Sequence, residues 1–349
     1  MNNNHGCAVY SSKVQCVGSN YYGQVSDPPP APVTTPVLFV FPEENSASPI
    51  KVVTGFGHTC VLMDDKSVWC KGRNYYGQLG DGTTTDSVTP VQVKKDGIVI
   101  TNAIDIEAGY NHNCIKLSDN SLYCFGRDDE NQLGFNGETN VKLMALSYLA
   151  TCIVKNSKLN EVLCKGNSNF NDKIYPMGDG EEIVKLVSGE GHFCVLLKSK
   201  KAKCFGQNDY GQLGNGSTID SFNFAVDLVD PQSGLPLSDI TDINAGHHST
   251  CLVSNKTPMC FGENENTVFQ LGIANGGARV LVPTALDVNL PTDRGDIASI
   301  HVGYYTGHVV YPDNSVFSWG SNAYGALGDD SLLSTVVGDA AVELAFNWN

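Results

Sequence analysis

Twelve cysteines are the residues in this sequence whose chemistry is easiest to constrain. Paired cysteines can form disulfides, remain reduced as small buried apolar side chains, or bind a metal ion. Zinc sites take cysteines about two to four residues apart, and no two cysteines here are that close. We therefore expect disulfides, with reduced thiols as the alternative. The predicted pairs are Cys7 with Cys16, Cys60 with Cys70, Cys114 with Cys124, Cys152 with Cys164, Cys194 with Cys204 and Cys251 with Cys260.

Each pair lies inside one copy of a recurring stretch. Residues 55–80, GFGHTCVLMDDKSVWCKGRNYYGQLG, show its most complete form, and seven copies recur roughly every fifty residues. The two cysteines open and close one hairpin, so their α-carbons should lie about 4.5 to 5.5 Å apart on adjacent strands. In the seventh copy both cysteines are absent, and His308 and Ser318 stand in their places. Loss of both together is expected if the two cysteines form a disulfide. The predicted hairpins lie near residues 5–25, 58–80, 112–134, 150–170, 192–214, 249–272 and 306–328.

Four strands are predicted in each copy. In the copy at 55–80, residues 59–63 and 68–70 form the hairpin, 50–54 form a strand before it, and TPVQV from Thr89 forms a strand after it. Proline lacks a backbone donor, so the proline-containing strand is expected at the outer edge. Units of this length and strand content stack radially. The predicted fold is all-β: a seven-bladed β-propeller of four-stranded antiparallel blades, one domain over residues 1–349.

The two ends of the chain are expected to meet. The first copy begins at its second strand, which leaves a strand edge without a neighbour. Residues 340–349 contain VELAF, which resembles a first strand and is followed by no further copy. We expect this C-terminal strand to complete the first blade and close the ring.

The turn after each hairpin carries a specific resemblance. GRNYYGQLG at 72–80 and GQNDYGQLG at 206–214 fit the pattern G.N..GQLG, which is altered in the other copies. Together with GHTC and TPVQV, the pattern resembles the repeat of the regulator of chromosome condensation (RCC1) family over essentially the whole chain. The resemblance implies a seven-bladed propeller. Nuclear members of that family act as guanine nucleotide exchange factors, and a secreted member inhibits β-lactamase.

Charge and cysteine content bear on partners and location. The net charge is -15, from 22 basic and 37 acidic residues, which disfavours nucleic acid and anionic membranes as partners. No apolar stretch is long enough for a transmembrane helix. Dense disulfides are typical of an oxidising compartment, so we expect a secreted, cell-surface or particle-surface protein, although the N terminus shows no signal peptide. Asn215 and Asn255 begin acceptor triplets for N-glycosylation, which eukaryotic-type secretion would permit.

Histidines recur two residues before the first cysteine in four copies. They are His5, His58, His112 and His192. Such a set could line the channel as metal ligands, but equivalent positions on different blades are held apart. Ser249 and Thr306 replace the histidine in two other copies, and they retain its hydrogen bonding rather than its strength as a metal ligand. We expect structural hydrogen bonds here and no metal site.

Tyrosines in the turns are the candidate binding residues. Tyr21 and Tyr75, the first aromatic residues of two turns, should be exposed, and tyrosine provides a large contact area at little entropic cost. The second aromatic residues, expected to pack beneath the turn, are Tyr22, Tyr76, Tyr210 and Tyr324. Long connections are a second place where binding specificity could lie. They are residues 26–49, 215–239, 263–269 and 273–296.

No catalytic motif stands out in the sequence, so no catalytic residue and no cofactor are predicted. The predicted function is a non-enzymatic extracellular or surface protein–protein interaction module or structural building block. Its expected partner is another protein, including a further copy of itself, with no nucleic acid, no membrane insertion and no small-molecule substrate. The alternatives are a secreted inhibitor of the β-lactamase-inhibitor type, a guanine nucleotide exchange factor and an enzyme whose site is built from loops.

Overall fold

A computed structural model describes most of the chain. The described residues are 5–27, 32–43, 46–178, 180–264, 270–274, 277–322, 324–328 and 341–343. They form strands, turns and loops, and they include no helix with the length and apolar character needed to cross a membrane.

The strands follow one another blade by blade. Blade 1 contains β1 His5–Tyr10, β2 Lys13–Gly18 and β3 Val33–Leu38, and blade 2 contains β4 Pro49–Thr54, β5 His58–Met63, β6 Val68–Gly72 and β7 Ser87–Gln92. Blade 3 contains β10 Ala103–Ala108, β11 His112–Leu117 and β12 Leu122–Gly126. Blade 4 contains β13 Val141–Leu146, β14 Ala150–Lys155, β15 Lys158–Gly166 and β16 Lys173–Pro176. A small hairpin of β8 Lys94–Lys95 and β9 Ile98–Val99 joins blades 2 and 3. Blade 5 contains β17 Ile183–Ser188, β18 His192–Leu197, β19 Ala202–Gly206 and β20 Ser221–Asp227. Blade 6 contains β21 Ile240–Ala245, β22 Ser249–Ser254, β23 Thr257–Glu263 and β24 Arg279–Ala285. Blade 7 contains β25 Ser299–Val302, β26 Thr306–Val310, β27 Val316–Gly320 and β28 Val342–Glu343.

Seven antiparallel sheets confirm the predicted seven-bladed propeller. Among the described residues five blades have four strands, and blades 1 and 3 have three. The predicted strand order holds: the strand before each hairpin lies on one side of it, and the proline-containing strand lies on the other. In blade 3, Gly137 donates to the carbonyl of Leu122, and the amide of Leu122 donates to Glu138, so a turn covers the outer edge.

The hydrophobic core lies between blades. Phe261 of β23 packs against the last glycine of the preceding blade's turn, Gly214, whose φ is +64 degrees. A Cβ at Gly214 would lie 2.7 Å from that ring, so only glycine permits this contact. Trp319 of β27 packs in the same way against Gly272. The turn of one blade therefore rests on the hairpin of the next.

All six predicted cysteine pairs are joined as disulfides within their hairpins. The two α-carbons are 4.0 to 4.1 Å apart, closer than we expected, because the cysteines stand directly opposite each other in the strand register. In blade 7 the equivalent residues also stand opposite each other, and His308 Nδ1 and Ser318 Oγ form a 2.7 Å hydrogen bond. A polar contact thus replaces the covalent one.

The placement predicted for the C-terminal strand is wrong. Within 340–349 the structure describes 341–343, and Val342–Glu343 pairs with β27 as the outer strand of blade 7 rather than with β1 of blade 1. The edge of β27 is the nearest free edge, and closing a shorter connection costs less entropy. Blades 7 and 1 meet through other contacts: Tyr21 and Tyr324 pack edge to face, and Gly325 lies against Thr34.

Blade 1 lacks the innermost strand that the other blades have, among the residues described. A cavity of about 510 Å³ lies beside β1. Its walls include Cys7 and Val9 of β1, Val52 of β4 and Val302 of β25. Among the described residues, this cavity lies where an innermost strand of blade 1 would stand.

The strand register predicts that a seventh disulfide can be built. We expect the double variant His308→Cys/Ser318→Cys to form it, because these residues are opposite each other as the six natural pairs are. Closing a loop of about ten residues should stabilise the protein by about 2 to 3 kcal/mol in the chain-entropy picture. The measurements are urea unfolding and titration of free thiols in the denatured protein. The single variant His308→Cys is the control with one thiol. Two titratable thiols in the double variant would contradict the register.

Candidate functional site

One face of the propeller, here called the turn face, carries two sets of short segments. The first set joins the inner strand of a blade to its hairpin and comprises loops 55–57, 109–111, 147–149, 189–191, 246–248 and 303–305. The second set follows the hairpin and comprises turns 18–25, 72–80, 126–134, 206–214 and the described parts of 262–272 and 320–328. The two sets are adjacent because β5 pairs His58 with Gly72, where a loop ends and a turn begins.

In the turns at 72–80 and 206–214, an asparagine and a glutamine hold the turn together. Asn74 Oδ1 accepts a 2.8 Å hydrogen bond from the amide of Leu79, and its Nδ2 donates to the carbonyl of Thr85. Gln78 Oε1 accepts from the amide of Tyr76 at 2.9 Å. Asn208 and Gln212 make the same bonds in blade 5. The pattern G.N..GQLG therefore encodes a rigid platform for side chains on this face.

The four recurring histidines make the expected hydrogen bonds, and each bond reaches a residue of the next blade. His112 Nε2 lies 2.9 Å from Thr151 Oγ1, and Thr151 donates its proton to the carbonyl of Gln132. His192, Thr250 and Gln212 repeat this arrangement between blades 5 and 6. Because the hydroxyl donates to the carbonyl, the histidine Nε2 must carry a proton and donate to the hydroxyl oxygen. We call this chain of hydrogen bonds, from a histidine to the next blade and back to a turn carbonyl, the histidine relay. His5 makes the same contact with Thr59, and His58 makes it with Asn113.

These histidines are buried and neutral. Burial lowers the pKa to about 3 for His5, His112 and His192, and to about 4 for His58. A Cβ on Gly189 would lie 2.2 Å from His192 Cε1, which explains the glycine that begins most of the loops. With Nε2 used in the relay, these four rings are structural.

One position of the short loops lines the mouth of the central channel. It holds Phe56, Tyr110, Tyr148, Glu190, His247 and Tyr304. Backbone hydrogen bonds connect neighbouring loops, such as Tyr148 N to Glu190 O at 3.1 Å. A cavity of about 200 Å³ opens at this mouth. Side chains that differ from blade to blade are thus brought together at one place.

Aromatic and arginine side chains form a continuous surface on blades 1 to 4. Tyr110 stacks on Phe56 with ring centroids 4.4 Å apart and packs against Tyr148 at 4.9 Å. The guanidinium of Arg127 lies 4.8 Å from the Tyr148 ring, and Arg73 lies 5.5 Å from the Phe56 ring. Burial, followed by the charge of Glu190, raises the pKa of Tyr110 to about 12. Its hydroxyl therefore stays protonated at neutral pH.

The predicted binding tyrosines lie at the rim of this surface. Tyr75 is 67% exposed and Tyr21 is 55% exposed, whereas Tyr22 is half-buried. Arg73 lies 5.5 Å from the Tyr22 ring and 6.0 Å from the Tyr75 ring, so Tyr75 is continuous with the rest, whereas Tyr21 packs against Tyr324. The exposure of Tyr21 and Tyr75 agrees with the expectation, whereas Tyr76, expected to pack beneath its turn, is 36% exposed. The binding role stays a prediction.

The sequence reasoning missed the residues on the opposite side of the channel mouth. Glu190 contacts His247, and His248 lies beside them with Glu263. No spacing motif marks these residues. They could have been found by comparing the seven copies at the position after the loop glycine, where Glu190 and His247 stand in place of an aromatic residue.

The two predicted glycosylation sites differ in exposure. Asn255 is exposed at the tip of its hairpin with a φ of +48 degrees. Asn215 is half-buried, and its Oδ1 accepts hydrogen bonds from Asn208 and Ser217. Glycosylation of either residue stays a prediction.

Known proteins share these repeats. Two family models described as the regulator of chromosome condensation (RCC1) repeat match this chain, one at residues 50–78, 103–132 and 183–212 and the other at 65–115 and 204–253. These matches, together with the fold, support an RCC1-like β-propeller. This RCC1-like propeller is 26% identical to the human regulator of chromosome condensation over 292 residues, which cover 80% of this chain and 61% of that protein.

Two further similarities agree with this assignment. The ultraviolet-B receptor UVR8 of Arabidopsis thaliana is 24% identical over 279 residues, covering 80% of this chain and 54% of the receptor. The chain thus spans less than two thirds of either curated relative. The structure of Prp20p from Saccharomyces cerevisiae, studied for its binding to Gsp1p and histones, superposes with a TM-score of 0.76 at 20% identity, covering 99% of this chain and 88% of that one.

The predicted secreted, cell-surface or particle-surface location is wrong. The regulator of chromosome condensation and Prp20p, which binds histones, are proteins of the cell interior. The error came from using the cysteine pairs as a report on the compartment. Hairpin geometry holds the two sulfurs of each pair together, and that geometry is a property of the fold rather than of the surroundings.

The buried histidines predict a loss of stability in mild acid. The unfolded state takes up a proton at each ring below pH 6.5, and the folded state does so only near pH 3 to 4, so stability falls as the pH falls through this window. Each ring should cost about 2 kcal/mol at pH 5 relative to neutral pH. Urea unfolding at pH 7.5 and pH 5 measures this decline. The variant His112→Gln should show a decline that is smaller by about this amount.

Thr151→Ser is the matched control, because it keeps both the hydroxyl group and the buried ring of His112. It should show the decline of the unchanged protein. An equal decline in His112→Gln and in the unchanged protein would mean that His112 is not held neutral by burial.

Proposed function

We propose that this RCC1-like propeller is a non-enzymatic protein-interaction module that binds a partner protein through the aromatic and arginine surface of its turn face. The observation that carries the proposal is the cluster of Tyr110, Tyr148, Arg73 and Arg127, which the buried Phe56 ring supports from below. Tyrosine and arginine are enriched among the residues that contribute most to protein–protein binding.

The rigidity of the turn face supports this proposal. The turns that carry Tyr21 and Tyr75 are held by internal hydrogen bonds that Asn20 and Asn74 accept from the amides of Val25 and Leu79. Side chains on such turns lose little conformational freedom when a partner binds, so more of the contact energy is retained as affinity. Exposed rings that are already fixed in place are well suited to act as anchors.

Charge favours a basic partner. The net charge of -15 attracts positively charged proteins over a distance, and the aromatic surface then supplies short-range contact. Prp20p binds Gsp1p and histones, and histones are basic proteins. Purified histones are therefore the first probe to use with this propeller, and Gsp1p is the second.

The double variant Tyr21→Ala/Tyr75→Ala tests the role of this surface. Calorimetric titration of histones, and separately of Gsp1p, into the unchanged protein should give binding for at least one of them. The double variant should weaken that binding about tenfold or more, because exposed tyrosines at a binding surface typically contribute more than about 1 kcal/mol each.

Ile98→Ala/Phe224→Ala is the matched control, since it removes two large exposed side chains that lie outside the loops and turns of the turn face. It should leave the affinity unchanged. Loss of binding in the control and not in the tyrosine variant would place the site on the outer strands and long connections. If neither histones nor Gsp1p binds the unchanged protein, the hypothesis that it shares the partners of its relatives is wrong.

A further inference from the structure

Four ionisable side chains meet at the channel mouth opposite the aromatic surface. Glu190 comes from the loop after β17, His247 and His248 come from the loop after β21, and Glu263 ends β23. The chain thus brings together residues from blades 5 and 6. None of these residues takes part in the histidine relay between blades.

The spacing of three of these groups suits a metal ion. Glu190 Oε2 contacts His247 Nε2 and lies 3.6 Å from His248 Nε2. One ligand atom from each of the three residues lies within 4.8 Å of the other two. In a tetrahedral zinc site with bonds of about 2.0 to 2.1 Å, the ligand atoms are about 3.3 Å apart. Small side-chain movements would therefore be enough to surround an ion.

The fourth group orients the two rings. Glu263 Oε2 lies 3.3 Å from His248 Nδ1 and 3.7 Å from His247 Nδ1, on the side of the rings away from Glu190. A carboxylate that accepts the Nδ1 proton leaves the Nε2 lone pair free to bind a metal. Carboxylates commonly hold metal-binding histidines in this way.

Aromatic stacking fixes the same rings. His247 stacks on Tyr304 with ring centroids 3.6 Å apart, and His248 stacks on Tyr210 at 4.5 Å. The His247 side chain is only 9% exposed, and its buried Nδ1 makes no hydrogen bond. Such a nitrogen is costly to bury, and a bound ion would draw the ring into a position where Nδ1 reaches Glu263.

The charges also balance for a divalent ion. Two carboxylates and two neutral imidazoles carry two negative charges, which one divalent cation neutralises. The cavity at the mouth, lined by Glu190 and His247, gives the ion a route from solvent.

We propose that Glu190, His247 and His248 bind a divalent transition-metal ion, such as Zn²⁺, with Glu263 holding the two imidazoles in position. Imidazole and carboxylate ligands suit zinc and its neighbours among the transition metals, whereas calcium and magnesium prefer sites made only of oxygen atoms. Three protein ligands leave a fourth position of a tetrahedral site directed to the cavity. Water or a side chain from a partner protein can occupy it.

Cobalt provides a direct test, because Co²⁺ in a tetrahedral site of mixed nitrogen and oxygen ligands gives visible absorption bands. The protein is first treated with a chelator and then titrated with Co²⁺, followed by Zn²⁺ to displace it. We expect one equivalent of Co²⁺ to bind and to be displaced by one equivalent of Zn²⁺. Calcium at the same concentrations should produce no displacement.

Conservative variants assign the ligands. Glu190→Gln and His248→Asn should each weaken Zn²⁺ binding at least a hundredfold, since each removes one of three ligands. Glu263→Gln should weaken it about 10- to 100-fold, the range typical of residues that support a ligand. His301→Asn is the matched control: it removes a histidine that hydrogen-bonds Ser299 inside the channel and should leave the affinity unchanged. Far-UV circular dichroism and urea unfolding without metal show whether each variant is folded.

Two results would overturn the metal site. One is the absence of stoichiometric Co²⁺ or Zn²⁺ binding by the unchanged protein. The other is equal affinity in the unchanged protein and in folded Glu190→Gln, which would place the ion elsewhere. The titration uses no partner protein, so the metal site and the proposed binding function can fail independently.

Discussion

The hydrogen bond from a buried histidine in one blade to a hydroxyl or amide in the next connects the blades at four of the seven junctions in the ring. It requires three conditions at once: a neutral imidazole, a proton on Nε2, and a carbonyl that takes the proton of the threonine hydroxyl. His112, Thr151 and Gln132 meet all three. Because the carbonyl belongs to the turn and the hydroxyl belongs to the following blade, a single relay fixes both the turn and the docking of two blades.

This contact explains why one loop position can hold different residues in different blades while the rest of the repeat keeps its structure. In three loops the first glycine is required by the histidine ring beneath it: Gly55 by His58, Gly109 by His112 and Gly189 by His192. The next residue has no such constraint, since it projects towards the channel mouth. Across the blades it is aromatic, acidic or a histidine, and the ring places these different side chains side by side. This one variable position supplies stacked aromatic rings on one side of the channel mouth and ionisable groups on the other side.

The disulfides and the relay stabilise different parts of the molecule. Each disulfide lies within one hairpin and joins strands that are already neighbours, as Cys194 and Cys204 do. It therefore strengthens a blade without joining it to another. Blade 7 forms without one, with His308 and Ser318 hydrogen-bonded at the same place. The cysteine pairs are thus local supports, and the contacts between blades decide whether the ring forms.

The sequence by itself determined the features that depend on neighbouring residues. Repeat length, strand order, the cysteine pairs and the structural role of His5, His58, His112 and His192 all follow from local pattern, and the structure agrees with them. It did not determine the partner of Val342–Glu343, because two blades each offered a free strand edge and only the path of the chain selects between them. Nor did it indicate that Glu190 would meet His247 and His248. These residues are far apart in the chain, and only the closing of blades 5 and 6 around the channel brings them together.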